Sequence, residues 1–305
     1  KVMIELSHLH KKFGQRTAVG DLTLSVPRGE VFGLLGHNGA GKSTTIGMML
    51  GQVWPTSGEV KVCGHDVTTQ RARALQKVGA IFEAPAFYDY LTGWRNLEIL
   101  SHYTAPTSKA RIREVVDWVG LTGREQSTVK TYSHGMRARL ALAQALLPQP
   151  ELLILDEPGS GLDPEGIAEM RQTIGRLHRE LGLTILLSSH LLSEVEQLCS
   201  RIAVLNQGQK VFDGKIADVK AARGRVALQT PDFAPATKLL IERGLISGTE
   251  REKFISLKDG VTTAEVIRVL VTAGIPVEGI WSHAQTLEDF YLELVKTPPA
   301  SPKAN

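Results

Sequence analysis

Four short runs of the chain are apolar at nearly every position. They are VFGLLG (31–36), LLILDEP (152–158), LTILLSSH (183–190) and RIAVLN (201–206). Strands without polar alternation are buried on both faces, which is typical of a parallel sheet covered by helices. Between these runs, apolar residues recur with helical spacing over 42–51, 136–147 and 167–181. The pattern therefore predicts an α/β fold built on a mostly parallel sheet.

Both ends of the chain differ from this pattern. The opening segment and PTSGEVKVCG (55–64) predict an antiparallel β portion. Near residues 221–224 the stretch KAARGR has the small, basic character of a linker. We therefore predict one domain over residues 1–220, a second over 221–296, and a flexible Pro-rich tail over 297–305.

The second domain is predicted to be a small α+β unit. Its strands are expected at 225–230, 244–249, 253–258 and 276–282, and its helices at 235–243, 262–273 and 286–296. The first six elements follow the β-α-β-β-α-β order of a ferredoxin-like unit. The last helix carries Leu287, Phe290, Tyr291 and Leu294 on one apolar face. We expect that face to pack against its own domain rather than against a partner.

Composition narrows the class of protein. With 305 residues, 42% of them hydrophobic and 22% charged, the chain is not intrinsically disordered. A net charge of +3 gives no indication of nucleic-acid binding. Cys63 and Cys199 are too few for a disulfide framework and suit a reducing compartment. There is no apolar stretch of about 18 residues and no signal-peptide core, so we expect a soluble, intracellular protein.

A glycine-rich motif follows the first apolar run. Residues 36–43 fit the pattern GxxxxGK[ST], between a predicted strand and a predicted helix. Glycines let backbone N–H groups surround a phosphate, Lys42 would reach the β- and γ-phosphates, and the Ser43 hydroxyl would bind Mg²⁺. The candidate nucleotide-binding residues are Gly36, His37, Asn38, Gly39, Ala40, Gly41, Lys42, Ser43 and Thr44. The alternative is a glycine-rich turn without a ligand.

Two carboxylates end the second apolar run. Asp156 and Glu157 stand at the carboxyl end of a predicted buried strand, the edge where parallel sheets bind ligands. Asp156 would hold Mg²⁺ through a water molecule, and Glu157 would polarise the water that attacks the γ-phosphate. An acidic pair in a solvated turn is the alternative, and the neighbouring phosphate motif favours the nucleotide interpretation.

The sequence YSHGM (132–136) immediately precedes a predicted helix. Ser133 and Gly135 would place helix N–H groups and the positive end of the helix dipole next to an anion. The simpler interpretation of Ser133 is a helix N-cap. The order of the motifs along the chain decides between the two interpretations.

In that order, residues 3–220 resemble an ATP-binding subunit of an ABC transporter. The resemblance makes GHNGAGKST the Walker A loop, LLILDE the Walker B strand and YSHGM the signature, and it places SGLD (160–163), with Asp163, as the D-loop. It also implies that His190 is the switch histidine and that Phe13 stacks on adenine, unless Phe13 only belongs to the amino-terminal sheet. The implied fold is that of the P-loop NTPases, and the implied cofactors are ATP and Mg²⁺.

Two departures from the family pattern stand out. His134 and Met136 replace Gly and Gln in the signature, and Glu83 stands where most members have the Gln of the Q-loop. A carboxylate at position 83 could bind Mg²⁺, or it could face solvent and bind nothing. The Glu variant and the carboxy-terminal helix resemble the bacitracin and lantibiotic self-protection exporters.

The resemblance also implies partners. The signature of one subunit completes the ATP site of a second copy, head to tail, and a membrane permease docks near residues 83–94. Five aromatics lie there, Phe82, Phe87, Tyr88, Tyr90 and Trp94, with core packing as the alternative for each. We expect a peripheral protein on the cytoplasmic face of the membrane that hydrolyses ATP to drive export, without a nucleic-acid partner. The alternatives are a soluble ABC ATPase acting on ribosomes or nucleic acid, and a regulatory module that does not hydrolyse ATP.

Overall fold

A computed structural model describes residues 1–83, 86–104, 107–221, 225–250, 252–283 and 286–296. The strands are β1 (Val2–Phe13), β2 (Arg16–Pro27), β3 (Val31–Leu35), β4 (Ser57–Val62), β5 (His65–Asp66), β6 (Val78–Ile81), β7 (Leu152–Asp156), β8 (Thr184–Ser189), β9 (Arg201–Asn206), β10 (Gln209–Lys215), β11 (Arg225–Gln229), β12 (Ile246–Glu250), β13 (Phe254–Leu257) and β14 (Gly279–His283). The helices are α1 (Lys42–Met49), α2 (Arg71–Leu75), α3 (Gly93–Thr104), α4 (Lys109–Trp118), α5 (His134–Leu146), α6 (Pro164–Leu181), α7 (Leu192–Leu198), α8 (Ile216–Ala221), α9 (Phe233–Glu242), α10 (Thr263–Thr272) and α11 (Leu287–Lys296). The predicted linker at 222–224 and the predicted tail at 297–305 lie outside the described residues.

A six-stranded sheet forms the centre of the first part of the chain. Its strand order is β10-β9-β3-β8-β7-β6, and every neighbouring pair is parallel except β9 with β10. All positions of β3 and β8 are buried, as the continuous apolar runs predict. The predicted parallel sheet is therefore confirmed, and the carboxyl ends of β3, β7 and β8 lie together at one edge.

The antiparallel β portion is a second sheet, with the order β2-β1-β4-β5. Its apolar residues belong to one hydrophobic core with residues of the six-stranded sheet and of α1. Members of this core include Leu6, Leu24, Val60, Leu34 and Ile46. Burial of this shared core fixes α1, and with it the loop before α1, against both sheets.

Three predicted helices occur, but their ends differ by two or three residues. α5 begins at His134 rather than 136, because the Ser133 hydroxyl accepts a hydrogen bond from the N–H of Met136. α6 begins at Pro164 rather than 167, because Asp163 caps it in the same way. α1 ends at Met49 because Gly51 takes a left-handed conformation with φ +64°. Two capping side chains and one left-handed glycine, which apolar spacing does not report, set these boundaries.

The chain divides into two compact units. The first holds Lys1–Lys215 and the end of α11 from Leu294, and the second is Ile216–Glu293. The second unit has a four-stranded sheet in the order β12-β13-β11-β14 with all neighbours antiparallel, and α9 and α10 connect its strands. This is the predicted ferredoxin-like order. Among the described residues, no helix has the length and apolarity needed to cross a membrane.

Candidate functional site

The phosphate loop joins β3 to α1 and requires glycine at two positions. Gly41 has φ +102°, and a Cβ atom there would lie 2.6 Å from the carbonyl oxygen of Ala18. A Cβ atom on Gly36 would lie 2.7 Å from the carbonyl oxygen of Leu205. The loop is thereby packed closely against its neighbours. The unpaired N–H groups of the first turn of α1 lie at its end, as an anion site needs.

The lysine of the loop is buried. The Lys42 side chain is only 5% exposed, and its ammonium group donates a hydrogen bond of 2.7 Å to the carbonyl oxygen of Gly36. The same nitrogen lies 3.6 Å from Oε1 of Glu157. The structure therefore brings the predicted phosphate-binding cation to the predicted catalytic carboxylate.

The other predicted loop residues surround this lysine. His37, Asn38, Gly39 and Ser43 are exposed, Thr44 is half-buried, and Ala40 is buried. The ring of His37 contacts the carbonyl oxygen of Asn38 at 2.7 Å and Oδ1 of Asn206 at 3.2 Å. Because those contacts hold its imidazole, His37 offers the loop its backbone rather than its ring.

Asp156 and Glu157 are fixed from the neighbouring strand β8. The Ser188 hydroxyl donates a hydrogen bond to Oδ1 of Asp156, and the Ser188 hydroxyl oxygen accepts the N–H of Glu157 at 3.0 Å. One buried serine thus orients both residues of the acidic pair.

Glu157 also contacts the predicted switch histidine. Nδ1 of His190 lies 2.8 Å from Oε2 of Glu157, with the two side chains 47% and 26% exposed. Glu157 has φ +48°, a left-handed conformation that is costly for a residue with a side chain. Strain of this kind, at a residue whose carboxylate lies between a lysine and a histidine, is typical of functional sites.

A buried carboxylate supports the turn that carries His190. The Ser189 hydroxyl donates to Oε2 of Glu194 at 3.0 Å and accepts the N–H of Leu191 at 2.9 Å. Burial raises the pKa of the Glu194 carboxyl, and the Ser189 hydrogen bond opposes that rise. Glu194 therefore holds the loop around His190 at a cost in desolvation.

A cavity of about 330 Å³ opens beside the phosphate loop. Phe13 and Arg16 line one wall, and Lys42, Thr44 and Glu157 are also among its lining residues. Phe13 is 52% exposed, with the Lys11 ammonium 4.7 Å from its ring centre. A half-exposed aromatic ring beside a phosphate loop is suited to stacking on a base.

A second cavity, of about 520 Å³, contains the three predicted metal ligands. Ser43, Glu83 and Asp156 all line it, and His134 and Arg137 line it too. Glu83 is exposed and has φ +61°. A hydroxyl and two carboxylates are the oxygen donors that Mg²⁺ prefers, so these residues fit that ion. In the part of the chain that is described, no cluster of three or more His, Cys, Asp or Glu side chains could hold a metal by itself.

Apart from His134, the predicted signature residues do not line the second cavity. Ser133, Gly135 and Asp163 line a third cavity, of about 470 Å³, that does not include the phosphate loop. The amino ends of α5 and α6 both open onto it, and the Ser133 and Asp163 side chains cap those helices. The N-cap interpretation of Ser133 is thus correct, and it leaves an anion-binding role open.

The predicted aromatic residues divide into two groups. Phe82 packs against the hydrophobic core, so the packing alternative holds for it. Tyr88 and Tyr90 are 43% and 74% exposed, with their rings edge to face at 6.1 Å. We call residues 86–94 the aromatic segment. It presents an exposed tyrosine pair.

Sequence reasoning missed two residues of the site. Arg16 lines the first cavity, and its guanidinium lies 3.6 Å from the position of a Cβ atom on Gly39. Ser188 orients Asp156 and Glu157. The position of Ser188 two residues before His190 on a buried strand was the only available signal, and Arg16 gave none because β2 reaches the loop only through the tertiary fold.

Comparisons with known proteins agree with this geometry. The sequence profile of the ABC transporter family matches residues 19–160. The ABC transporter ATP-binding protein YhcH of Bacillus subtilis is 41% identical, over 96% of each chain. The bacitracin transport ATP-binding protein BcrA of Enterococcus faecalis is 37% identical, also over 96% of each. A solved ATP-binding subunit of an ABC transporter is 29% identical, with a TM-score of 0.63, over 72% of this chain and 92% of its own.

The similarity to YhcH and to BcrA extends over nearly the whole chain. The phosphate loop, the strand-end acids and the histidine meet as the sequence pattern requires. The chain therefore belongs to the ATP-binding proteins of the ABC transporter family.

Proposed function

We propose that this protein hydrolyses ATP to power a separate membrane permease that exports a drug, peptide or lipid-like compound. The proposal rests on the position of the Glu157 carboxylate, which lies 3.6 Å from Nζ of Lys42 and 2.8 Å from Nδ1 of His190. The similarity to a bacitracin transport protein over 96% of both chains supports an exporter. Residues 1–220 are the ATP-binding domain and 221–296 an accessory domain. No comparison supports the alternative of a ribosome- or nucleic-acid-directed ATPase.

Each residue of the site has a different role in the proposed reaction. Phe13 stacks on the adenine, while Lys42 and the loop N–H groups bind the phosphates. Glu157 accepts the proton of a water whose oxygen attacks the γ-phosphorus, and the bond from that phosphorus to the β–γ bridging oxygen breaks. His190 contacts the γ-phosphate and, through its bond to Glu157, orients the base.

Mg²⁺ fits the donors of the second cavity. Ser43, Asp156 and Glu83 would hold it, and Ser188 keeps Asp156 turned toward that place. When bound, the ion neutralises charge on the β- and γ-phosphates. Because the Ser188 hydroxyl bonds one carboxylate oxygen of Asp156, the serine would fix the orientation in which Asp156 meets the ion.

A second copy of the chain would complete the site. Because Ser133, Gly135 and Asp163 line a cavity apart from Lys42, one chain carries the two halves of an ATP site in different places. Head-to-tail pairing would put the positive amino end of α5 against the γ-phosphate held by the other copy. ATP would then attract the two copies and hydrolysis would remove that attraction. The aromatic segment would contact the permease at the cytoplasmic face of the membrane.

The test is phosphate release by the purified full chain with ATP and Mg²⁺. We expect Glu157→Gln to lower turnover by about a hundredfold or more while ATP affinity stays within about threefold, because the amide cannot accept the proton. Lys42→Ala should instead abolish binding. A wild-type chain that binds ATP without releasing phosphate would favour the regulatory alternative.

A further inference from the structure

The aromatic segment is tied by its backbone to the residues that lead into α5. Four hydrogen bonds of 2.8–3.2 Å join residues 89–94 to residues 125–130. They run from the N–H groups of Lys130, Val129, Gly93 and Trp94 to the carbonyl oxygens of Asp89, Leu91, Ser127 and Glu125, in that order. Lys130 is only three residues before Ser133. The aromatic segment is therefore hydrogen-bonded to the stretch that leads directly to the cap of α5.

A buried asparagine fixes the shape of the segment. The Asn96 side chain is fully buried, and its Oδ1 accepts the N–H of Tyr88 at 2.8 Å. Its Nδ2 donates to the carbonyl oxygens of Tyr88 at 3.1 Å and Thr92 at 3.0 Å. A fully satisfied buried amide is costly to disrupt, so a force on the tyrosine pair moves the segment rather than unfolding it.

One side-chain contact crosses from the segment to α5 itself. Nη1 of Arg137 lies 2.8 Å from Oδ1 of Asp89, with the side chains 31% and 54% exposed. Asp89 stands between the two exposed tyrosines, and Arg137 is in the first turn of α5, where its N–H bonds the carbonyl oxygen of Ser133 at 3.0 Å. The ion pair thus joins the exposed tip of the segment to the start of the helix.

We propose that Asp89 is a positioning residue that, through Arg137, transmits displacement of the aromatic segment to the first turn of α5. The proposal rests on the proposed function, in which that turn faces the ATP held by a second copy. The hydrogen-bond ladder holds residues 125–130 to the aromatic segment, and the ion pair holds the first turn of α5 to it. The aromatic segment and that turn therefore move together. The alternative is a solvated ion pair without effect, which is common at protein surfaces.

The test measures hydrogen exchange along the full-length chain, with ATP as the only ligand. In Asp89→Ala and Arg137→Ala, we expect amide exchange at residues 136–138 to rise roughly threefold, as the loss of a partly exposed ion pair allows. The maximal ATPase rate should fall about two- to fivefold, with less than a twofold change in KM for ATP. Exchanging the two charges, Asp89→Arg with Arg137→Asp, should restore both quantities.

Arg95→Ala is the matched control. Arg95 pairs with Glu98 at 2.9 Å on α3, without reaching α5, so it should change neither quantity. Wild-type exchange at 136–138 in Asp89→Ala, or failure of the charge exchange to restore the rate, would overturn the proposal. Hydrogen exchange does not depend on turnover. A chain that hydrolyses no ATP would therefore contradict the proposed function while the exchange pattern still decides the role of Asp89.

Discussion

The imidazole of His190 and the carboxylate of Glu157 are in direct contact, at 2.8 Å between Nδ1 and Oε2. The two residues directly follow adjacent parallel strands, β8 and β7, which places their side chains at the same edge of the sheet. Lys42 reaches the other oxygen of the same carboxylate. Glu157 therefore connects the proposed phosphate-binding residue to the proposed γ-phosphate sensor.

Replacing His190 by Ala should lower the maximal ATPase rate by about a hundredfold, because Glu157 loses the partner that orients it. ATP affinity should change by less than about threefold, since Lys42 and the loop are untouched. Turnover and nucleotide affinity, measured on the same preparation, separate the two effects. His8→Ala is the control, because His8 is exposed on β1 and pairs with Asp21. An unaltered rate in His190→Ala would contradict this role.

Phe13→Ala should weaken ATP binding by about tenfold, in line with roughly 1–3 kcal/mol per stacked base. Phe13→Tyr keeps the ring and should bind ATP like the wild type. The ring is 52% exposed, so neither change should alter the melting temperature by more than a few degrees. Titration with a fluorescent ATP analogue measures the affinity. Equal affinities for the alanine and tyrosine variants would show that Phe13 is only a structural residue of the amino-terminal sheet and does not stack on adenine.

The raised pKa of Glu194 predicts that the stability of the folded protein depends on pH. Burial raises its pKa in the folded protein, so the folded state binds this proton more tightly than the unfolded state does. The contribution of Glu194 therefore becomes less favourable as pH rises from the unfolded-state value of about 4.3 through the raised folded-state value. Glu194→Gln has no proton to lose and keeps an acceptor for Ser189.

The melting temperature of Glu194→Gln, relative to wild type, should accordingly be higher above neutral pH than at acidic pH. Thermal unfolding at several pH values measures this difference. Glu180→Gln serves as the control, because Glu180 is exposed and its substitution should shift stability little at any pH. A difference between Glu194→Gln and wild type that does not vary with pH would contradict the argument.

Much of this arrangement could be predicted from the sequence, for particular reasons. The continuous apolar runs identify β3, β7 and β8 because only doubly covered strands have that pattern. The position of Asp156 and Glu157 near the phosphate loop then follows because the carboxyl ends of parallel strands share one edge of the sheet. Arg16 could not be found, since the approach of β2 to the loop depends on packing between two sheets. The ion pair of Asp89 with Arg137 could not be predicted from the sequence either, because its residues are 48 positions apart and no local pattern links them.

Tyr88→Ala with Tyr90→Ala should leave ATP binding intact and loosen association with the permease, because both rings are exposed and distant in sequence from the phosphate loop. Co-purification of the protein with a co-expressed permease, at several salt concentrations, measures the association. Tyr103→Ala is the matched control, since Tyr103 is 81% exposed outside the aromatic segment. Undiminished co-purification of the double variant would contradict the docking role.

The central claim is that ATP closes two copies of the chain head to tail. The most direct measurement is the mass of Glu157→Gln in solution by light scattering, with ATP and with ADP. Head-to-tail closure predicts a change from 33.2 kDa to twice that mass with ATP alone. Adding Gly135→Asp should abolish the change by placing a carboxylate against the γ-phosphate. A Cβ atom fits at that position with only the Ser133 hydroxyl nearby, at 3.8 Å. A mass that stays at 33.2 kDa with ATP, or that doubles regardless of Gly135→Asp, would contradict head-to-tail closure.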